Sequence, residues 1–163
     1  MSMKHLILFI LIFSAKLGES NTTAFAINPY EYYKAFSSSD MRLVDSQLSL
    51  LSKSEKDEFK AFSGAMLMKK SSLVGSIKDK LVLFNKGKKL LEEGIEKDPS
   101  NCEYRFLRLA IQENCPPFLE YNKDMQADSK KISENFKTFS PEAKAAIREY
   151  SKTSKVLHIN DLN

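Results

Sequence analysis

Apolar residues recur at three- and four-residue steps along most of this chain, which is the period of one face of a helix. Met41, Val44, Leu48 and Leu51 make one such stripe, and Phe59, Phe62, Met66 and Leu73 a second. Ile77, Leu81, Phe84, Leu91 and Ile95 mark a helix over 76–97. Tyr104, Leu107 and Ile111, widened by Phe106 and Ala110, mark another over 102–114. Phe118, Tyr121, Met125, Ile132 and Phe136 then face inward from a helix over 117–137, and Ala143, Ala146, Ile147 and Tyr150 from the last one. No segment alternates with period two for long, so no sheet is expected.

The breaks between stripes carry start and stop signals. Asn28-Pro29-Tyr30-Glu31 opens a short helix that runs to Phe36, with Asn as cap, Pro at the first helical position and Glu at the third. Asp40 caps the next helix, and Ser54-Glu55-Lys56-Asp57 resembles a weak capping box. Asp98-Pro99 and Cys115-Pro116-Pro117 end helices, because proline disfavours helical geometry in the residue before it. Ser140-Pro141 opens the last. The pattern predicts an all-α fold of about six to seven amphipathic helices, paired as antiparallel hairpins in a repeat-like stack or an irregular bundle. It forms a single domain over 27–154, followed by a tail, 155–163, that is either docked or frayed.

The first residues read differently. Lys4 and His5 precede an unbroken apolar run, Leu6 to Phe13. The run suits a signal peptide and is far short of the ~20 apolar residues that span a bilayer. Small residues place cleavage after Ala26 or after Ser20, with Ala26 preferred. The expectation is a signal peptide over 1–26 and an exported, periplasmic or extracellular protein, not transmembrane after cleavage. Losing Lys4, Lys16 and Glu19 takes the formal charge from +4 to +3, too mild an excess to imply a polyanionic partner.

Composition narrows the chemistry. Only Cys102 and Cys115 are present, and a continuous helix between them would hold them ~20 Å apart, beyond disulfide reach. They are expected as buried small residues. Cleavage would leave one histidine, His158, expected to be packed, so no zinc site is anticipated and no cofactor is implied. Neither a nucleophile elbow, a zincin motif nor a phosphate-binding loop occurs, and the chain is expected not to be an enzyme.

Gly87 and Gly94 fall on or beside the stripe of their helix, where each costs ~1 kcal/mol against Ala, so close approach of a neighbouring helix is expected. With Leu91 between them and Pro99 beyond, the stretch 87–101 resembles the second half of a tetratricopeptide repeat. The resemblance covers that half-motif, and no internal period of 34 supports an array. The run 103–132 is similar to small exported helical proteins of Bacteroidota, an uncharacterised group that implies compartment and no activity.

One polar constellation stands out. Arg105, Arg108 and Gln112 lie at i, i+3 and i+7 beside the apolar face of the helix over 102–114, and Asn114 follows at its end. Asp128 falls inside the stripe of Tyr121, Met125 and Ile132. A carboxylate there is buried and therefore needs a partner. The tight Pro-Pro turn makes the two helices neighbours, so Asp128 is expected to pair with Arg108 or Arg105. Either the pair fixes helix register, or the arginines line a groove that holds a carboxylate of a peptide or small ligand.

Ten lysines against four acidic residues between 53 and 89 form a second feature. They read as a solvated surface or as a face for an anionic ligand, without the aromatic and arginine interleaving of nucleic-acid readers. Glu92, Glu93 and Glu96 read as a wet helix face paired to Lys88 and Lys89. The resulting expectation is a non-catalytic exported helical interaction module with a protein or peptide partner. The alternative is a small envelope or stress-type protein that binds an anionic ligand or surface through its lysines. Partner identity and oligomeric state stay open at this level.

Overall fold

The computed structural model describes residues 27–54 and 56–162, and the expected signal segment 1–26 lies outside them. Seven α-helices follow in order: α1 Pro29–Ser37, α2 Met41–Leu51, α3 Asp57–Leu73, α4 Ile77–Lys97, α5 Cys102–Asn114, α6 Met125–Glu134 and α7 Pro141–Ser151. Short 3₁₀ turns stand at Pro117–Leu119, Phe136–Thr138 and Ile159–Asp161, and no strand occurs among the described residues.

The caps explain most boundaries. Asn28, Asp40, Ser76, Asn101 and Ser140 each accept a hydrogen bond from a backbone N–H of the first helical turn that follows. The start of α3 departs from expectation. Ser54 accepts from the Lys56 backbone N–H at 3.3 Å and the helix begins at Asp57. The Asp57 carboxylate therefore meets Lys60 at 2.7 Å and Lys97 at 2.8 Å and takes no part in a capping box.

A larger correction concerns the helix expected over 117–137. It is broken into a 3₁₀ turn, a loop over 120–124, and α6, which starts only at Met125. Glu120 adopts a left-handed backbone at φ 47°, which turns the chain out of the helical path. Asn122 and Asp124, whose side chains compete for backbone hydrogen bonds, favour the loop that follows. Phe118 is consequently 74% exposed instead of inward, while Tyr121 is buried from the loop rather than from a helix.

The closest helix pair is α3 with α4. A β-carbon added to Gly87 would stand 2.5 Å from the Gly64 carbonyl oxygen, and one on Gly94 would stand 2.5 Å from the Ala61 β-carbon. The two helices thus run antiparallel and touch through small residues, as Gly87 and Gly94 foretold. Gly64, inside α3, is the matching partner on the facing helix. α5 packs on α6 and also meets α3, α4 and α7. α1 touches both α2 and α7, so the first and last helices meet and the array closes into an irregular bundle.

The tail is docked. Leu157 is fully buried, and Ser129 on α6 donates to the Val156 carbonyl at 2.7 Å. Glu113, at the end of α5, holds the same segment. Its carboxylate accepts from the Tyr150 hydroxyl, the Ser154 hydroxyl and the Lys155 backbone N–H. Against expectation, His158 is exposed. It opens the last 3₁₀ turn, where its backbone N–H bonds Asp161.

Candidate functional site

The polar constellation assembles around Asp128, which is fully buried. Arg108 grips it in a fork, Nε to Oδ2 at 2.7 Å and Nη2 to Oδ1 at 2.8 Å. Arg105 adds Nη1 to Oδ1 at 2.9 Å, so both arginines share one carboxylate. The planar guanidinium suits this bidentate contact, and two charge-assisted bonds offset the desolvation of the pair. Burial would lower the Arg108 pKa, but the bonds to Asp128 and the charges of Asp128, Glu92 and Asp124 outweigh it and hold it above its ordinary value.

The remaining donors are also engaged. Arg108 Nη1 meets Glu92 at 2.8 Å, and Arg105 donates twice to the Pro99 carbonyl, at 3.2 and 2.9 Å. Glu92 also accepts from the Tyr121 hydroxyl. Glu92 is therefore part of this cluster, not of a wet face, whereas Glu93 does pair with Lys89 at 3.9 Å. The signal that could have found Glu92 is its place one residue after buried Leu91.

Gln112 is buried and donates to Asp124 at 3.0 Å, while its Oε1 has no hydrogen-bond partner among the described residues. Asn114 does not join the cluster. It is exposed and donates back to the Ala110 carbonyl of its own helix at 2.8 Å. Helical geometry explains both outcomes. Gln112 continues the Arg105–Arg108 stripe, whereas Asn114 lies ~200° round the helix from it.

A second region has the opposite character. A cavity of about 1080 Å³, open to solvent on one side, is bordered by α1, α5, α7, the C-terminal half of α3, the N-terminal half of α4 and the 117–119 turn. Such a volume reaches the upper end of the ~300–1,000 Å³ usual for small-molecule sites. Buried Tyr33, Met68, Phe84 and Phe106 line its inner wall, and exposed Tyr30, Ile77 and Phe118 border its mouth.

The polar side chains on this wall are turned away from the cavity's needs. Tyr33 and Tyr150 donate their hydroxyls to Glu103 and Glu113. Burial, then these carboxylates, push both phenols well above their ordinary pKa. Ser37, Ser71, Ser72 and Asn114 each donate to a carbonyl of their own helix, and Thr153, just past α7, donates to the Tyr150 carbonyl. The charged residues are Lys34, Lys69 and Lys80, from α1, α3 and α4, and Glu142 and Glu149, both from α7.

The lysine-rich stretch is partly neutralised. Lys56, Lys60, Lys70 and Lys89 reach carboxylates, and Lys88 lies over the Tyr121 ring. Cys102 and Cys115 are unpaired thiols at the two ends of α5. Among the described residues, no group of three or more His, Cys, Asp or Glu is placed to hold a metal ion, and no helix is long and apolar enough to cross a membrane.

No family model, no curated protein and no solved structure matches this chain.

Proposed function

We propose that this is a non-catalytic exported binding protein that holds an apolar small molecule in the cavity between α1, α3, α4, α5 and α7. The carrying observation is a cavity of about 1080 Å³ whose wall is largely aromatic and aliphatic and whose hydroxyl and amide donors already have partners within the protein. An apolar ligand gains by leaving water and makes no demand on those donors. A peptide would bring a backbone that this wall leaves unsatisfied, at ~1–3 kcal/mol for each buried group. Export rests on Lys4, His5, the Leu6–Phe13 run and the two cleavage sites.

The arginine groove is the weaker candidate for a ligand site. Both arginines already hold Asp128, and Arg108 holds Glu92 as well. An incoming carboxylate would have to displace a buried one.

The test is uptake of Nile red, an uncharged dye that brightens in apolar surroundings, by the chain beginning at Ile27. Saturable one-site binding is expected. Ala145, exposed on α7 and lining the cavity, offers a block that spares the core: Ala145→Trp should abolish the signal while leaving the helical circular-dichroism spectrum intact. Dye binding that is non-saturable, or unchanged by that substitution, would sink the proposal.

A further inference from the structure

Resting on the cavity as the binding site, we propose that its ligand is a single-chain amphiphile with an anionic head, a long-chain carboxylate, whose head group pairs with Lys69. The argument starts from charge. Lys69 is half-buried on α3 at the cavity wall. No hydrogen bond or ion pair engages its ammonium among the described residues. Its neighbours differ. Lys70, next in sequence, meets Asp45 at 2.6 Å, and Lys34 across the cavity wall meets Glu31 at 3.6 Å.

Desolvation holds the Lys69 pKa below its ordinary value, so the fold has removed water from this cation without supplying a counter-charge. Lys80, from α4, lines the same cavity and is exposed. The carboxylates that face the cavity, Glu142 and Glu149, both come from α7, and Glu149 is engaged by Lys152. The cavity is thus basic along α1, α3 and α4 and acidic only along α7. An anionic head fits the first side, and its tail fits the aromatic wall of Tyr33, Phe84 and Phe106.

The occupant follows from these two halves together. An uncharged hydrocarbon would leave Lys69 partly desolvated and unpaired, which costs free energy that a ligand carboxylate recovers. A doubly charged phosphate would call for a second half-buried counter-charge, whereas Lys34 already meets Glu31 and Lys80 stands in solvent. A singly charged head matches one half-buried lysine.

The experiment displaces Nile red from the chain beginning at Ile27 with hexadecanoate or with hexadecanol, at mildly alkaline pH and below the concentration at which either aggregates. Hexadecanoate is expected to displace the dye at about tenfold lower concentration, the worth of one charge-assisted hydrogen bond. Lys69→Gln should erase that gap by weakening only the acid, Lys69→Arg should keep it, and added salt should narrow it. If acid and alcohol displace the dye equally, the carboxylate is overturned and the apolar site stands. If Lys69→Gln weakens both alike, the ion pair is likewise overturned. If the dye binds but neither lipid displaces it, the amphiphile is overturned and the apolar site stands; if the dye does not bind at all, both readings fall. Sedimentation that shows the chain pairing through the Tyr30–Phe118 face, with no lipid uptake, overturns both in favour of a second copy as the occupant.

Discussion

The Asp128 cluster and the apolar cavity both border α5, yet they resolve their charges in opposite ways. Around Asp128 every charged group has found a partner inside the protein: two arginines, Glu92, and the Pro99 carbonyl. On the cavity wall the hydroxyls are satisfied, and half-buried Lys69 has no ion pair among the described residues. A network whose charges are paired fixes how helices sit against each other and leaves no free charge for a ligand. An open one leaves a charge that a ligand can complete. On the proposed function, the cluster singled out in sequence serves the framework and the cavity serves the ligand.

The strongest way to break this contrast is Asp128→Ala. It leaves two arginines at the α5–α6 contact without their shared carboxylate, and should cost about 3 kcal/mol, at the low end for a broken buried pair because Arg108 keeps Glu92. Urea denaturation measures it, and Nile red affinity of the folded fraction should not change. A variant of full stability that had lost dye binding would reverse the two roles.

Glu113 offers a smaller and pH-dependent test, because it ties α5, which both regions share, to the tail. Burial would raise its pKa, but the bonds from Tyr150, the Lys155 backbone and Ser154 win and hold it below its ordinary 4.5. Its contribution is therefore present above pH 4.5 and lost as pH falls through the depressed folded value. Glu103 runs the other way. Burial holds it above 4.5 despite the bond from Tyr33, so its contribution is full below pH 4.5 and fades as pH rises through the raised value. Glu113→Gln should cost about 1 kcal/mol at neutral pH. It should also remove the acid-side loss of hydrogen-exchange protection at Leu157. A tail whose protection ignores both pH and the substitution would show that the apolar contacts alone hold it.

The smallest expected effect is the most discriminating. Lys69→Gln should change stability by less than about 0.5 kcal/mol in the absence of ligand, since it removes a cation that no hydrogen bond or ion pair among the described residues holds. A loss comparable to that of Asp128→Ala would mean that Lys69 belongs to the framework, and the contrast between the two regions would collapse.

How much of this was legible beforehand differs by region. Asp128 with Arg105 and Arg108 was readable because helical periodicity placed a carboxylate in an apolar stripe and burial demanded a partner. The close contact of α3 and α4 was readable from Gly87 and Gly94 for a similar reason: two costly residues at one spacing ask for a cause. Glu92 was misplaced because its neighbours Glu93 and Lys89 do form the wet face. The break before α6 was missed because Tyr121 and Met125 keep the stripe's spacing across a loop that a left-handed Glu120 creates. The cavity was not readable at all. Lys69 follows Met66, Leu67 and Met68 and looks like the polar edge of an ordinary helix.

Local periods, caps and the cost of burying a charge thus let the sequence determine the helices, most of their ends and one ion-pair cluster. These depend on residues within a turn or two of each other, or across one short connection. Which helices border the cavity, that α1 meets α7, and that Lys70 finds a carboxylate while Lys69 has none among the described residues were decided only by tertiary packing. Each depends on the separation of elements distant along the chain, and no local pattern encodes the space left between them.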